Sequence, residues 1–290
     1  MPRFYEDEEL HKLQRMEIDI LKDFMKICED NNLKYFGVAG TGIGAIRHGG
    51  FIPWDDDIDI ALPRRDYEKL IKIVDEQYSD KYHMLNFEHD HHFPLMTTRM
   101  CLNGTRFVEE SFMNVKCDLG IFLDLYAYDN YPDNDVLFFF QKWRAWFYSK
   151  LLILRSIPKP VLSQTGVKAE IITLICTGVH NAMDFFRINP KWIYNRCKKI
   201  CTQYNGKKCK RIGYPCDTDP NTNMLYKKAT FPLRKWQYED VELYFPKDMK
   251  AMLENFYGDT YMELPPVEKR KTHFPHILDF GDGSGERRAE

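Results

Sequence analysis

The sequence predicts a mixed α/β fold of the α+β kind, a sheet core with helical additions, from three observations. Short apolar or alternating segments at 35–38, 57–62, 97–102 and 120–128 read as strands. Amphipathic helical patterns at 6–28 and 64–77 precede and separate them. From about residue 134 the pattern turns helical and stays so to about 203.

Each element has its own signal. Residues 6–28 bring Leu10, Leu13, Ile20, Leu21, Phe24 and Ile27 to one helical face, and Asn31-Asn32 ends that helix before the first strand. Tyr35 to Val38 run into the small-residue turn Gly40–Gly44, followed by a short helical pattern. Tyr67, Leu70, Ile71 and Val74 make 64–77 a helix that returns across the sheet, and Thr97–Leu102 with Gly120–Tyr128 supply further strands. Helices at 134–153, 167–187 and 190–203 are separated by Ser156–Pro160 and by Asn189-Pro190. The expected organisation is a core at 1–133 with its N-terminal helix, a helical subdomain at 134–230, a segment at 231–280 that packs back on the core, and a flexible tail at 281–290.

Composition narrows the function. The chain has 290 residues, 44% hydrophobic and 14% aromatic, enough for a substantial core, and its net charge of −2 gives no basic footprint for nucleic acid. Met1 to Leu10 is charged, and no apolar run of about 18 residues follows, so a cytoplasmic protein with reduced cysteines is expected. Cys197, Cys201, Cys209 and Cys216 lack the paired spacing of a zinc knuckle and read as scattered thiols.

The chemistry is concentrated in Trp54-Asp55-Asp56-Asp57-Ile58-Asp59. In an extended segment residues two apart share a face, so Asp57 and Asp59 project together while Ile58 and Ile60 point into the core. Two like charges side by side are costly unless a cation or a shifted pKa relieves them, and hard oxygen ligands suit magnesium or manganese. A bare acidic run would read as a solvated loop, but these acids are interleaved with buried-type residues. An EF-hand fits poorly, because Ile60 stands where glycine is needed, Asp66 where glutamate is, and Pro63 interrupts the loop. Upstream, Gly40 to Gly44 leave room for backbone amides to approach an anion at a helix N-terminus, and Thr41 adds a hydroxyl, which makes the turn a candidate phosphate cradle. Its spacing matches neither a P-loop nor the dinucleotide fingerprint. A Gly-Thr turn about fifteen residues before an Asp-apolar-Asp-apolar strand is, however, the arrangement that nucleotidyltransferase-fold enzymes use.

The stretch Gly40-Thr41-Gly42-Ile43-Gly44-Ala45-Ile46-Arg47-His48-Gly49-Gly50-Phe51-Ile52-Pro53-Trp54-Asp55-Asp56-Asp57-Ile58-Asp59-Ile60 resembles the signature of the LicD family of phosphotransferases, relatives of fukutin and its related protein. Gly120–Leu125 resembles the family's second acidic strand. Phe256–Met262, Leu264-Pro265-Pro266, Lys269, Arg270 and His273 resemble its C-terminal signature. The resemblance implies a nucleotidyltransferase-like fold and a magnesium- or manganese-dependent transfer of phosphocholine, or a comparable phospho-alcohol, from CDP-choline or another CDP-alcohol. The implied acceptor is a sugar hydroxyl of a cell-surface glycan such as lipopolysaccharide or teichoic acid, or of its lipid-linked precursor, which brings in contact at the inner face of the membrane. Carried over residue by residue, Asp57 and Asp59 bind the metal, Asp124 is a third carboxylate that completes the site or takes the acceptor's proton, and Gly40 and Thr41 hold the diphosphate. Where the family continues its acidic strand with Phe-Pro, this chain has Tyr126-Ala127.

Phosphoryl transfer depends on positioning and charge neutralisation, so Arg47, Arg64, Lys269 and Arg270 are candidate phosphate clamps, with solvated surface the competing reading for each. Asp124 sits on a partly apolar strand face, where a raised pKa would suit a general base. The aromatic segment Val136–Tyr148 reads first as a buried core helix, then as a lipid-glycan groove or membrane interface, then as a cage for a quaternary ammonium. Trp54 and Tyr128 lie nearer the chemistry and are better cage candidates. Two other functions stay open: a nucleotidyltransferase that releases pyrophosphate, and a non-catalytic cation-binding protein of the same fold.

Overall fold

The computed structural model describes residues 5–159, 166–270 and 272–288, apart from the side chain of Lys269. The chain opens on α1 (Asp7–Asp30), whose buried stripe runs from Leu10 through Leu13, Ile20 and Leu21 to Phe24, as the periodicity predicts. Next come β1 (Phe36–Gly37), α2 (Ala39–Arg47), β2 (Asp59–Pro63), α3 (Arg64–Gln77), β3 (Tyr82–Leu85), β4 (Thr98–Leu102), β5 (Arg106–Glu109) and β6 (Phe122–Tyr131). The helical stretch holds α4 (Asp135–Ser156), α5 (Val167–Phe185) and α6 (Pro190–Thr202). Asn189 caps α6 with its side chain and Pro190 opens it, where a proline costs nothing because the first amides of a helix have no partner. The remainder is β7 (Arg211–Gly213), β8 (Met224–Tyr226), α7 (Lys227–Thr230), β9 (Arg234–Tyr238), β10 (Val241–Phe245), α8 (Met249–Tyr257), β11 (Pro275–Asp279) and β12 (Arg287–Arg288).

Seven strands form one mixed sheet in the order β1-β2-β6-β4-β3, with β7 and β8 continuing from the far end of β6. The central pair is parallel: β2 lies along β6 with Asp59 opposite Asp124 and Ile60 opposite Leu125. A parallel pair needs a crossover between its strands, and α3 begins it directly after β2. Ile58, Ile60, Leu62, Leu123 and Leu125 are all buried to within 1% of exposure, so the centre of the sheet is set in the core and its polar residues are held without slack.

The small residues of α2 are a helix rather than the expected turn. A methyl on Gly42 would stand 2.6 Å from Met252 Cε of α8, and one on Gly44 would strike the Gly50 carbonyl. These glycines let α8 and the following loop close tightly on α2. The last residues also differ from a free tail: Arg287 and Arg288 pair with β11, and Lys12 and Glu9 of α1 reach Asp282 and Arg287 respectively.

Candidate active site

Asp59 opens β2, and Asp57 lies two residues earlier in an extended segment outside the strand. The parallel pairing still reaches it, because the Asp124 amide donates to the Ile58 carbonyl at 3.1 Å. The result brings ligand oxygens of Asp57, Asp59 and Asp124 within 4.8 Å of one another, all three side chains being buried. The Tyr126 hydroxyl donates to Asp59 Oδ1 at 3.0 Å, so the residue that departs from the family pattern fixes the carboxylate it adjoins.

Burial is the main electrostatic fact here. It raises Asp57 to about 6, against the opposing pull of His273 and with added repulsion from Asp56 and Asp124. Burial and then Asp57 and Asp124 push Asp59 well above the usual carboxylate range, and burial raises Asp124 although Arg99 opposes it. Three carboxylates that repel one another in low dielectric favour either protons or a divalent cation. The donor set, all oxygen and hard, fits magnesium or manganese.

Several charged groups around this triad went unassigned in the sequence reading. Arg99 on β4 is buried, with Nε 3.4 Å from Asp124 Oδ1, a second ion pair to Glu109 and its guanidinium 3.8 Å from the centre of the Phe122 ring. Among the described residues its Nη1 has no hydrogen-bond partner. The signal was present, since an arginine between the buried-type Thr98 and Met100 needs a carboxylate partner. His273 Nδ1 lies 3.3 Å from Asp57 Oδ2 and 3.4 Å from Asp56 Oδ1, and its backbone amide donates to Asp56 at 2.8 Å. The side chain is 48% exposed, and the partial desolvation that disfavours its charge is outweighed by Asp57 and Asp56, which hold the imidazolium well above its usual pKa. Asp56 also accepts from the Tyr5 hydroxyl at 2.7 Å. Glu17, in the apolar stripe of α1, is buried with neither oxygen bonded among the described residues, and desolvation followed by the Asp57, Asp56 and Asp55 charges raises its pKa strongly. A glutamate one turn from Leu13, Ile20 and Leu21 was the visible sign.

The candidate ligand-binding residues divide. Gly40 stands in the first turn of α2, where a methyl would be 3.0 Å from Asp55 Oδ2, and Thr41 is buried with its hydroxyl accepting from the Asp59 amide at 2.8 Å. Thr41 thus ties the helix start to the metal-site strand. Arg47 is spent on the backbone, donating to the carbonyls of Tyr261 at 3.2 Å and Glu263 at 3.1 Å. Arg64 is paired with Asp129 through two bonds of 2.9 and 2.6 Å, which corrects its reading as a phosphate clamp. Arg270 lies 4.0 Å over the Trp54 ring, so that face of the indole is occupied, while Arg270 Nε is buried without a partner among the described residues. Tyr128 is buried with its hydroxyl on Asn223 and offers no cage. The side chain of Lys269 lies outside the described residues.

A cleft of about 490 Å³ opens beside Asp124 and His273, floored by Arg99, Glu109 and Tyr126 and walled by Lys150, Cys216, Asp217 and Thr218. Its size suits a nucleotide-sized ligand. The thiols are less scattered than expected: Cys197 and Cys201 lie 3.6 and 3.8 Å from Cys216, with Cys209 apart. Helical spacing stacks the first two, and the cleft wall brings in the third.

Residues 32–153 match the LicD/FKTN/FKRP nucleotidyltransferase domain, a span that holds α2, β2 and β6 and hence all three acids. The chain is also 25% identical over 283 residues to the lipopolysaccharide cholinephosphotransferase LicD of Haemophilus influenzae, covering 93% of this chain and 97% of that protein. Residues 32–153 thus carry a LicD-type nucleotidyltransferase domain. Shorter similarities reach uncharacterized proteins of Rickettsia prowazekii, 42% identical over 55 residues (19% of this chain, 21% of that one), and Rickettsia typhi, 45% over 47 residues (16% and 15%). The LicD-family domain supplies the acids and Arg99, whereas His273 and Arg270 come from beyond the matched span.

Proposed function

We propose that the protein is a metal-dependent transferase that moves phosphocholine, or a close phospho-alcohol, from a CDP-activated donor to a sugar hydroxyl of a lipopolysaccharide-type glycan. The observation that carries this reading is the buried triad Asp57, Asp59 and Asp124, converging within 4.8 Å beside a cleft, in a chain that aligns almost end to end with a cholinephosphotransferase. Asp57 and Asp59 would hold magnesium or manganese, which would neutralise charge on the diphosphate oxygens, with Asp124 beside them. Among the described residues, Arg99 Nη1 and Arg270 Nε are buried without a partner, and each would be satisfied by a phosphate oxygen within its reach. His273, held as an imidazolium, adds a donor at the cleft mouth.

In the transfer, the acceptor oxygen bonds to the phosphorus that carries choline. The bond from that phosphorus to the oxygen bridging the two phosphates breaks, CMP leaves with that oxygen, and the hydroxyl proton passes to a carboxylate. Asp124 suits that last role, because burial raises its proton affinity while Arg99 keeps it in place.

The test is incubation of the full chain with magnesium, CDP-choline and a lipopolysaccharide acceptor, with CMP and phosphocholine-modified product both measured. CMP release that needs the acceptor and vanishes in Asp59→Asn supports the reading. Release of pyrophosphate from CTP, with CDP-choline untouched, would assign nucleotidyl transfer instead.

A further inference from the structure

The helical layer carries an apolar surface that the catalytic reading does not use. Of the 19 residues of α5, only Met183 is buried. Val167, Ile171, Leu174 and Ile175 are between 52 and 74% exposed, and Phe185 and Phe186 at the helix end are 81 and 71% exposed. Exposed aromatic residues of α4, among them Phe140 and Phe147, extend the same layer, and Trp192 of α6 packs at 6.0 Å on Tyr148. Leaving this many large side chains in water is unfavourable by roughly 25 cal/mol for each Å². A surface of this size marks an interaction site.

Charge identifies what covers it. Residues 136–199 hold eleven Lys and Arg against two acids, Glu170 and Asp184, a net charge of +9. The whole chain is −2, so the remainder is −11. Arg144, Lys168, Arg187 and Lys191 are exposed at the borders of the apolar residues. Ile171 to Met183 is a run without Asp, Glu, Lys or Arg. At 1.5 Å per residue it is roughly 20 Å long, too short for a hydrocarbon core of about 30 Å. Among the described residues no helix is long and apolar enough to cross a membrane. An apolar helix that is neither core nor span, with cationic ends and aromatic flanks, has the composition of one that lies in the plane of a bilayer.

The geometry points to α5, with the exposed aromatic residues beside it, as a docking surface for an anionic lipid bilayer. The aliphatic side chains enter the acyl boundary, and Lys168, Arg187 and Lys191 meet the head-group phosphates. The catalytic cleft shares Ser149, Lys150 and Ile153 of α4, and Ile157 just after it, with this layer, so it opens close to the lipid surface.

The experiment is flotation of the full chain with vesicles of phosphatidylcholine, with or without about one third phosphatidylglycerol. The chain should float with the anionic vesicles, weakly with neutral ones, and less as salt rises. Leu174→Asp with Ile175→Asp should lower binding at least about tenfold while the melting temperature and CMP release with a soluble acceptor stay as in the parent. These two residues touch nothing in the cleft, so loss of transferase activity and loss of docking are separable results. Absence of binding to anionic vesicles, or binding that survives the double substitution, overturns the proposal. So does a lipid-free dimer in sedimentation that the same substitutions dissolve, since a second copy would then be the cover.

Discussion

Replacing Asp57 by asparagine should stabilise the protein when no divalent cation is present. Its carboxyl is raised from 3.8 to about 6 in the folded state, about two pH units, worth roughly 3 kcal/mol at 1.4 kcal/mol per unit. Between these two values the folded chain holds a proton that the unfolded chain has lost, so stability falls as pH rises through that window, and above about pH 6 the whole cost is present. The attraction of His273 is already included in that net shift. Asp57→Asn should therefore raise the denaturation midpoint at pH 7.5 in chelator by about 3 kcal/mol, some 6 °C for a chain of this size, and leave it unchanged near pH 4. Magnesium should close most of that gap. At a hundredfold excess over its Kd the parent gains about 2.7 kcal/mol and the variant little. A variant that melts at or below the parent in chelator, or that gains as much from magnesium, refutes the picture of a repulsive site relieved by a cation.

Asp124→Asn should keep donor and magnesium affinity close to the parent and lose kcat by at least about a hundredfold, the acid limb of the pH profile going with it; a collapse in magnesium affinity would make Asp124 a ligand instead. Arg99→Met strands Glu109 and Asp124 in the interior and should cost about 3–5 kcal/mol in urea denaturation, part of which Glu109→Gln restores in the double variant. Glu17→Gln should leave stability at low pH unchanged and remove a loss that the parent shows as pH rises above the ordinary glutamate range, because the raised folded-state pKa makes ionisation costly. Melting curves from pH 4 to 9 check it, and parallel curves for the two proteins would count against a buried, proton-holding Glu17.

What could be read from the sequence was what periodicity and local chemistry determine. The stripe of α1, the bounds of α3 and the Asn189-Pro190 start of α6 all follow from side-chain spacing and backbone rules. The glycines of α2 misled because small residues serve turns and tight helix contacts alike, and only the position of Met252, some 210 residues away, distinguishes them. Val136–Tyr148 misled in the opposite sense. Aromatic density suggested a core, yet Phe139, Phe140 and Phe147 face outward, and periodicity cannot tell which environment a side of a helix meets. Asp57, Asp59 and Asp124 were legible as acids on strand-like segments, while Arg99, Glu109 and His273 are gathered by pairings across the sheet and beyond, which no local window contains.

The pairing of β2 with β6 makes the site a matter of backbone alignment. Asp59 and Asp124 face each other because the two strands lock in one register, with 64 residues of chain between them. That stretch carries α3, β3, β4 and β5, and β4 returns to pair with β6 and bring Arg99 to Asp124, so only its connecting loops can change length without disturbing the acids. A slip by a single residue would turn the alternate faces over and deliver isoleucine or leucine where a carboxylate belongs. The scaffold thus has an all-or-none centre: the two acids meet in one register or they do not meet.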